Sequence, residues 1–203
     1  MSETLAGLLL TAAGYLSGSV PYGLVLPLLL KGVDVRTIGS GNIGATNAAR
    51  AGGRAMGVAV FVLDVIKAVV PILLAQAVLS GPSARLWIMT TAIAAFAGHV
   101  FPVWLGFRGG KGVATGFGIF VVLAPWAALA GLASWVVAYL TVRISSVGSL
   151  AGTAVCAIGA FLTHGPGSPI AWAGLAVAAM IFWRHQENIG RLLRGEEKPV
   201  RKA

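Results

Sequence analysis

The stretch VATGFGIFVVLAPWAALAGLASWVVAYLT, residues 113–141, decides the fold of this chain. Its 29 residues include no charged side chain, and Pro125 lies near the middle. A helix that crosses a membrane needs about 20 residues. The stretch therefore forms either one long tilted helix or two short helices broken near Pro125.

The rest of the chain is equally apolar. Of 203 residues, 57% are hydrophobic and 10% are charged, whereas soluble domains carry about 25% charged residues. The mean hydropathy is +0.87. The N-terminus, MSETLAGLLL, lacks a basic segment, so we interpret the first run as a retained helix and not a cleaved signal. Long apolar runs predict a polytopic membrane protein; they span about residues 5–30, 56–79, 86–105, 113–141, 147–162 and 170–183.

The positions of the basic residues favour two helices in residues 113–141. With two helices, only Arg85 lies on the opposite side, and Lys67 lies within a span. By the positive-inside rule, the chain is then a single all-α membrane domain, residues 1–203, with about seven transmembrane helices, an extracytoplasmic N-terminus and a cytoplasmic C-terminus. The basic residues on the cytoplasmic side are Lys31, Arg36, Arg50, Arg54, Arg108, Lys111, Arg143, Arg184, Arg191, Arg194, Lys198, Arg201 and Lys202.

Charge and cysteine content exclude several other classes. The net charge of +9 is explained by orientation in the membrane and by anionic substrates, so no nucleic-acid partner is expected. Cys156 is the only cysteine; it cannot form an internal disulfide, and we interpret it as a small core or lipid-facing residue. No cysteine or histidine spacing indicates a metal site, and no cofactor is expected.

Four polar segments share the cytoplasmic face in this topology. Glycine-rich turns expose N–H groups that can surround an oxyanion, and a helix that begins after such a turn adds its positive end. Lysine and arginine add formal charge for phosphate. The segments predict a site for phosphorylated ligands at the membrane surface; they are IGSGNIGATNAAR (38–50), GFRGGKGVAT (106–115), RISS (143–146) and RHQENIGRLLRGEE (184–197).

Familiar nucleotide and acyltransferase motifs do not fit. Gly39, Gly41 and Gly44 match G-x-G-x-x-G, but that motif binds dinucleotides only between a strand and a helix. In GFRGGKG, Gly112 stands where a Walker loop has serine or threonine. None of the three histidines is followed five residues later by aspartate, as in many glycerolipid acyltransferases, and the chain has too few aspartates for a CDP-alcohol phosphotransferase.

Five motifs resemble one known family. In chain order they are GSVPYG (18–23), GSGNIGATNAAR (39–50), LDVIK (63–67), GHVFPVWLGFRGGKGVAT (98–115) and RHQENIGRLLRGEE (184–197). Together they are similar to the PlsY family of bacterial acyl-phosphate:glycerol-3-phosphate acyltransferases. The resemblance implies attack of the 1-hydroxyl of sn-glycerol 3-phosphate on acyl phosphate, giving lysophosphatidic acid and inorganic phosphate, the first acylation of phospholipid synthesis. It implies no use of acyl-CoA or acyl carrier protein as direct donor.

The resemblance also implies roles for the first glycine-rich turn. Ser40 and Asn42, with the N–H groups around Gly41 and Gly44, are expected to bind the acyl-phosphate head. The alternative is simple turn and helix-cap chemistry. Asn47 and Arg50 are three residues apart and share a helix face; both are expected to contact substrate, Arg50 as the glycerol-phosphate ligand. The alternative for Arg50 is a membrane-boundary anchor.

The remaining candidates lie in the other motifs. Lys111, flanked by Gly110 and Gly112, is expected to contact phosphate, and Arg108 is interpreted as a boundary residue. The resemblance implies no dedicated base, since a donor phosphate oxygen can take the proton, and it implies that His185 and Asn188 position substrate. The alternative for His185 is a structural role at a helix end. Other expected roles are phosphate donation or helix capping by Ser145 and Ser146, structural charge pairing by Asp64, Lys67 and Glu197, and a structural role for His99.

Two other functions remain open on the sequence alone. Intramembrane charges and broken helices also occur in small transporters of phosphorylated solutes, although the polar motifs gather on one face. A non-catalytic membrane scaffold leaves the anion-binding turns unexplained. The expected partners are acyl phosphate, sn-glycerol 3-phosphate and membrane lipids, the expected location is the bacterial inner membrane, and a chain of this size can act as a monomer.

Overall fold

The computed structural model describes residues 1–199, and within them the chain forms only helices and connecting turns. Arg201 and Lys202 of the predicted basic tail lie outside the described residues. Short 3-10 helices cover Val35–Thr37 and Val103–Leu105. The α-helices are α1 (Glu3–Ser19), α2 (Tyr22–Lys31), α3 (Ala45–Val78), α4 (Ala84–Val100), α5 (Val113–Leu123), α6 (Pro125–Val142), α7 (Ser145–His164), α8 (Pro169–Arg184) and α9 (Gln186–Leu193).

The stretch 113–141 forms two helices, as its sequence predicts. α5 ends at Leu123, and Ala124 leaves the helical conformation with φ −149° and ψ 65°. Pro125 then occupies the first position of α6. Proline suits this position because its missing N–H has no partner in the first turn and its φ is already helical.

The first apolar run is not one helix, contrary to the sequence-based expectation. α1 ends at Ser19 and α2 begins at Tyr22, with a bend of 41° between them. Pro21 lies in the break and cannot donate a backbone hydrogen bond. The break places the motif GSVPYG at the junction of two helices.

Two further helix boundaries differ from the predicted ones. α3 begins at Ala45, well before the predicted start of the run at Met56, and Gly53 kinks it with φ 81° and ψ −179°. The third run ends its α-helix at Val100, since Pro102 follows and a short 3-10 helix replaces the last turn. Polar motif residues therefore belong to helix ends as well as to loops.

The chain divides into two compact units, Met1–Ile119 and a second unit that begins at Phe120. In the first unit, α1 packs closely on α4 because glycines of each helix lie against the backbone of the other. A Cβ at Gly18 would overlap Ala95, and a Cβ at Gly98 would overlap Tyr15. Such small residues let helix backbones approach in lipid, where apolar burial gives little driving force.

In the second unit, α6, α7 and α8 pack side by side. Gly152 of α7 lies against the backbone of Gly131, and Cys156 is buried beside the same glycine. The location of Cys156 in the core agrees with one of the two interpretations of its sequence context.

Several helices have the length and composition of membrane spans. Four pass both criteria: Ala45–Val78, Ala84–Leu105, Pro125–Val142 and Ser145–His164. The bent pair α1–α2 makes a fifth candidate. α5 and α8 are apolar but have 11 and 16 residues, fewer than the roughly 20 that a straight span needs. The described residues therefore contain four or five candidate spans, and the predicted number of seven stays a prediction.

Candidate functional site

Asn47 organises the first glycine-rich turn. Its side chain is buried, and its amide nitrogen donates to the carbonyl oxygens of Val35 (2.7 Å) and Ile38 (3.1 Å). Its amide oxygen accepts from the N–H of Ser40 (3.3 Å) and from Nη1 of Arg50 (3.2 Å). These four bonds use the full capacity of the amide. Asn47 thus positions the turn and Arg50, and its expected substrate contact stays a prediction.

The N–H groups of this turn are used inside it. Gly41 N–H donates to the carbonyl of Ile38 (2.9 Å), and Gly44 N–H donates to Oδ1 of Asn42 (3.0 Å). The ligand role of the N–H groups around Gly41 and Gly44 therefore stays a prediction, and these two N–H groups have partners within the turn. Asn42 acts as a turn-forming residue through this bond, which is the plainer of its two sequence interpretations.

Ser40 and Arg50 remain available to an anion from this turn. Both are exposed. Arg50 is held by Asn47 on one side and passes Gly39, whose backbone lies so close that a Cβ there would be 3.0 Å from Cδ of Arg50. A hydroxyl, a guanidinium and the positive end of α3 therefore lie together at the start of one helix, which favours a phosphate group.

Replacing Asn47 with leucine is expected to lower stability by about 1–3 kcal/mol, because backbone groups of the turn lose their partners while volume is kept. Arg50 also loses its orienting bond, so the KM for a phosphate-bearing substrate should rise. Thermal unfolding and steady-state kinetics of the purified variant in detergent check both effects. Asn47→Asp keeps the acceptor for Arg50 but places a carboxylate oxygen against the carbonyls of Val35 and Ile38, so it should also lose stability while the KM rises less. Equal stability of the leucine variant and the unaltered protein would contradict the assignment.

The second glycine-rich turn is attached to the end of α4. Gly109 N–H donates to the carbonyl of Val100, and Gly110 N–H donates to the carbonyl of His99, both at 3.1 Å. The N–H of Gly110 therefore has a partner within the protein, and these two bonds fix the shape of the turn. Lys111 follows, half-buried, and supplies the positive charge of the turn. Gly112 has φ 84°, a conformation that glycine adopts readily, and leads directly into α5.

The intramembrane charges pair as the sequence predicts. Nζ of Lys67 lies 2.7 Å from Oδ1 of Asp64, and both side chains are buried. Nζ also donates to the carbonyl of Val20 (3.0 Å), in the break between α1 and α2. Nδ1 of His99 lies 3.7 Å from the same Asp64 oxygen. Sequence reasoning missed the Val20 contact, since a backbone carbonyl has no signature in the sequence.

In the second unit, Glu197 accepts hydrogen bonds from polar side chains of two helices, α7 and α9. Its carboxylate accepts from Oγ of Ser146 (2.8 Å), Nδ2 of Asn188 (2.5 Å) and Nε of Arg191 (2.5 Å). The predicted pairing of Glu197 with a nearby arginine is confirmed. Two of the predicted substrate-binding residues, Ser146 and Asn188, are therefore oriented by one carboxylate. Ser145 precedes Ser146 in the first turn of α7.

The hydrogen bonds to Glu197 have a pH dependence. Burial raises the pKa of Glu197, but the bonds from Asn188, Arg191 and Ser146 outweigh burial, and the pKa is lowered below 4.5. A lowered pKa in the folded state contributes stability that is complete above the unfolded pKa and is lost as pH falls through the folded pKa.

We therefore expect Glu197→Gln to unfold at a lower temperature than the unaltered protein at pH 7, by a difference that stays constant down to about pH 4.5. Below that pH the difference should shrink. Thermal unfolding between pH 7 and pH 3 measures it, and Glu196→Gln, at a neighbouring exposed carboxylate, is the control. A difference that grows on acidification would contradict the assignment.

His185 is held in one orientation at the junction of α8 and α9. It is buried, and Nδ1 lies 2.8 Å from the carbonyl oxygen of Ile181. A carbonyl oxygen only accepts, so Nδ1 carries the proton and, in the neutral ring, Nε2 is an acceptor. His185 directly precedes α9 and Asn188 lies in the first turn of that helix, and their predicted common face stays a prediction.

The described residues contain no group of three or more histidine, cysteine, aspartate or glutamate side chains that could hold a metal ion. Each of the two units instead carries polar side chains suited to an anion, supported by buried polar contacts. Together with the long apolar helices, these features indicate a helical membrane protein whose polar turns are candidate sites for an anionic ligand.

Comparison with known proteins gives the family. The model of the glycerol-3-phosphate acyltransferase family matches residues 8–195. A glycerol-3-phosphate acyltransferase of Anaeromyxobacter sp. (strain K) is 68% identical over 98% of this chain and 100% of its own length. That of Myxococcus xanthus (strain DK1622) is 44% identical over 93% of this chain and 97% of its own.

Two crystal structures of PlsY (YgiH), an integral membrane glycerol 3-phosphate acyltransferase, share the fold. The glycerol 3-phosphate form has a TM-score of 0.88 at 39% identity, and the lysophosphatidic acid form has 0.85 at 38%. Each covers 96% of this chain and 95% of its own. This chain belongs to the glycerol-3-phosphate acyltransferase family, which confirms the resemblance seen in its motifs.

Proposed function

We propose that this protein transfers a fatty acyl group from acyl phosphate to the 1-hydroxyl of sn-glycerol 3-phosphate. The products are lysophosphatidic acid and inorganic phosphate. The observation that carries the proposal is the match over nearly the whole chain to PlsY, whose crystal structures are its glycerol 3-phosphate and lysophosphatidic acid forms. The anion-binding side chains of both units support it.

The reaction needs positioning more than acid–base groups, because an acyl phosphate is an activated mixed anhydride. A bond forms between the 1-oxygen of glycerol 3-phosphate and the carbonyl carbon, and the bond from that carbon to the phosphate oxygen breaks. A donor phosphate oxygen takes the hydroxyl proton, and inorganic phosphate leaves with it. Well-oriented reactants can lower such a barrier by roughly 7–11 kcal/mol.

Several side chains of the first unit have positioning roles in this proposal. In the first unit, Arg50 binds the phosphate of glycerol 3-phosphate, Ser40 binds the acyl-phosphate head, and Lys111 adds positive charge. These roles follow from the exposed hydroxyl and guanidinium at the start of α3 and from the turn on α4.

In the second unit, Nε2 of His185 accepts a hydrogen bond from a glycerol hydroxyl, and Asn188 and Ser146 donate to substrate oxygens. This role of His185 is supported by its fixed Nδ1–H donation to Ile181. Ser145 is a further phosphate donor from the first turn of α7.

We propose the same topology that the basic residues favour. Seven segments cross the bacterial inner membrane, with α1–α2 as one bent span and the short helices α5 and α8 as two others. The N-terminus is outside, and the active site faces the cytoplasm. The asymmetry of basic residues supports this orientation.

The test is phosphate release by the purified protein in detergent, given palmitoyl phosphate with and without glycerol 3-phosphate. We expect release that depends on glycerol 3-phosphate and equals the lysophosphatidic acid formed. Palmitoyl-CoA and palmitoyl carrier protein, supplied instead, should give no product. Product from either of these would refute acyl phosphate as the donor. No product from a folded protein would refute the acyltransferase and favour the transporter, which flux into vesicles would then measure.

A further inference from the structure

His99 is a buried histidine that no step of the proposed reaction uses. It lies one residue before the end of α4 and is 4% exposed. On one side, Nδ1 faces Oδ1 of Asp64 at 3.7 Å. Lys67 binds the same oxygen at 2.7 Å and is itself tied to the carbonyl of Val20. The ring therefore lies beside a buried ion pair of α3 that also contacts the break between α1 and α2.

The other side of the His99 ring supports the turn that carries Lys111. A Cβ at Gly110 would overlap Nε2 of His99 and lie 3.0 Å from Cε1. The backbone of Gly110 thus rests directly on the imidazole, and its N–H donates to the His99 carbonyl. Lys111 is the next residue, so the position and tilt of the His99 ring determine the position of the Lys111 backbone.

We propose that His99 is a positioning residue for the phosphate site of the Lys111 turn. Asp64, which is paired with Lys67, lies against one side of the ring, and the other side of the ring supports Gly110. Gly110 sets the backbone from which Lys111 contacts phosphate. The inference rests on the proposed role of Lys111. Geometry at such a site matters, because a displacement of about 1 Å can cost about 10²-fold in rate.

The contacts distinguish His99 from other buried polar residues of α4. Thr91 is also fully buried, but its hydroxyl donates to the carbonyl of Trp87 (2.8 Å), within the same helix. Its loss affects the α1–α4 interface and not the turn. Thr91→Ala is therefore a matched control for general destabilisation.

The first experiment measures KM and kcat for glycerol 3-phosphate, inhibition by inorganic phosphate, and thermal unfolding. The variants are His99→Phe, which keeps ring volume, His99→Gln, which keeps a polar group toward Asp64, and Thr91→Ala. We expect His99→Phe to raise KM and weaken phosphate inhibition about tenfold or more, with kcat changed far less. His99→Gln should retain part of the affinity. Equal effects on kcat and KM, in proportion to lost stability as in Thr91→Ala, would overturn the proposal.

A double-mutant cycle tests the contact itself. Gly110→Ala should weaken phosphate affinity, because its Cβ displaces the turn from the ring. In a His99→Ala background the same change should cost much less, since the space is then open, so the two effects should not add. Additive effects would overturn the proposal.

Protection against thermal unfolding by inorganic phosphate separates this inference from the proposed function. If the unaltered protein transfers no acyl group but phosphate protects it less in His99→Phe, the acyltransferase proposal fails and the inference stands. If acyl transfer is present and the His99 variants resemble Thr91→Ala, the inference alone fails. If phosphate does not protect the unaltered protein at all, the site itself is refuted.

Discussion

Lys111→Ala is expected to reduce kcat/KM for glycerol 3-phosphate, with palmitoyl phosphate as donor, by about 10²–10³-fold or more. The size follows from the loss of a charged donor near developing negative charge, which typically costs about 2.7–4 kcal/mol. Because Gly109 and Gly110 are bound to the end of α4, the turn keeps its shape without the lysine side chain, and stability should change little. Steady-state phosphate release measures the effect.

Arg108→Ala is the matched control, since Arg108 is an exposed cation of the same polar segment that we interpret as a boundary residue. It should retain kcat/KM within about threefold, in line with the small contribution of exposed charges. Lys111→Arg keeps the charge with a different geometry and should be intermediate. Full activity of Lys111→Ala would remove the second glycine-rich turn from the site.

Lys67→Met is expected to have the largest effect on stability. The change leaves the carboxylate of Asp64 buried without its 2.7 Å partner and removes one of the two donors to the Val20 carbonyl, which also accepts from the N–H of Tyr22 (3.1 Å). Removing one member of a buried ion pair costs about 3–5 kcal/mol. For a chain of this length we expect a fall in unfolding temperature of roughly 10 °C or more, measured by thermal unfolding in detergent.

The double variant Asp64→Asn/Lys67→Met should recover part of the lost stability, because no unpaired buried charge remains. Arg85→Met, which removes an exposed cation near the start of α4, should unfold at nearly the same temperature as the unaltered protein. A single Lys67→Met variant as stable as the double variant would show that the Asp64 carboxylate does not need the lysine.

Local rules predicted much of the helical structure. The break at Pro125 follows from proline at the first position of a helix, and the common face of Asn47 and Arg50 follows from their spacing of three. The pairing of Asp64 with Lys67 follows from the cost of an isolated charge in lipid. Each of these depends on neighbours within a few residues.

The break before α2 could not be predicted in the same way. Pro27 and Pro71 lie inside continuous helices, so proline alone does not identify a break. At Val20 the freed carbonyl is bound by Lys67, which lies 47 residues further along the chain. The contact stabilises the break because it gives a backbone carbonyl a partner outside its own segment. In an unbroken helix that carbonyl would accept from an N–H of the same helix.

The sequence by itself determined the class of the chain, most of its helical segments and the residue types of its candidate site, because apolar content, glycine-rich turns and charge position act locally. The tertiary structure decided what those residues do. Asn47 and the N–H groups of Gly41 and Gly44 hold the first turn. Glu197 accepts a hydrogen bond from Ser146, 51 residues away in the chain, and His99 supports Gly110. The physical reason is that a polar group in an apolar interior must find a partner wherever the fold brings one near.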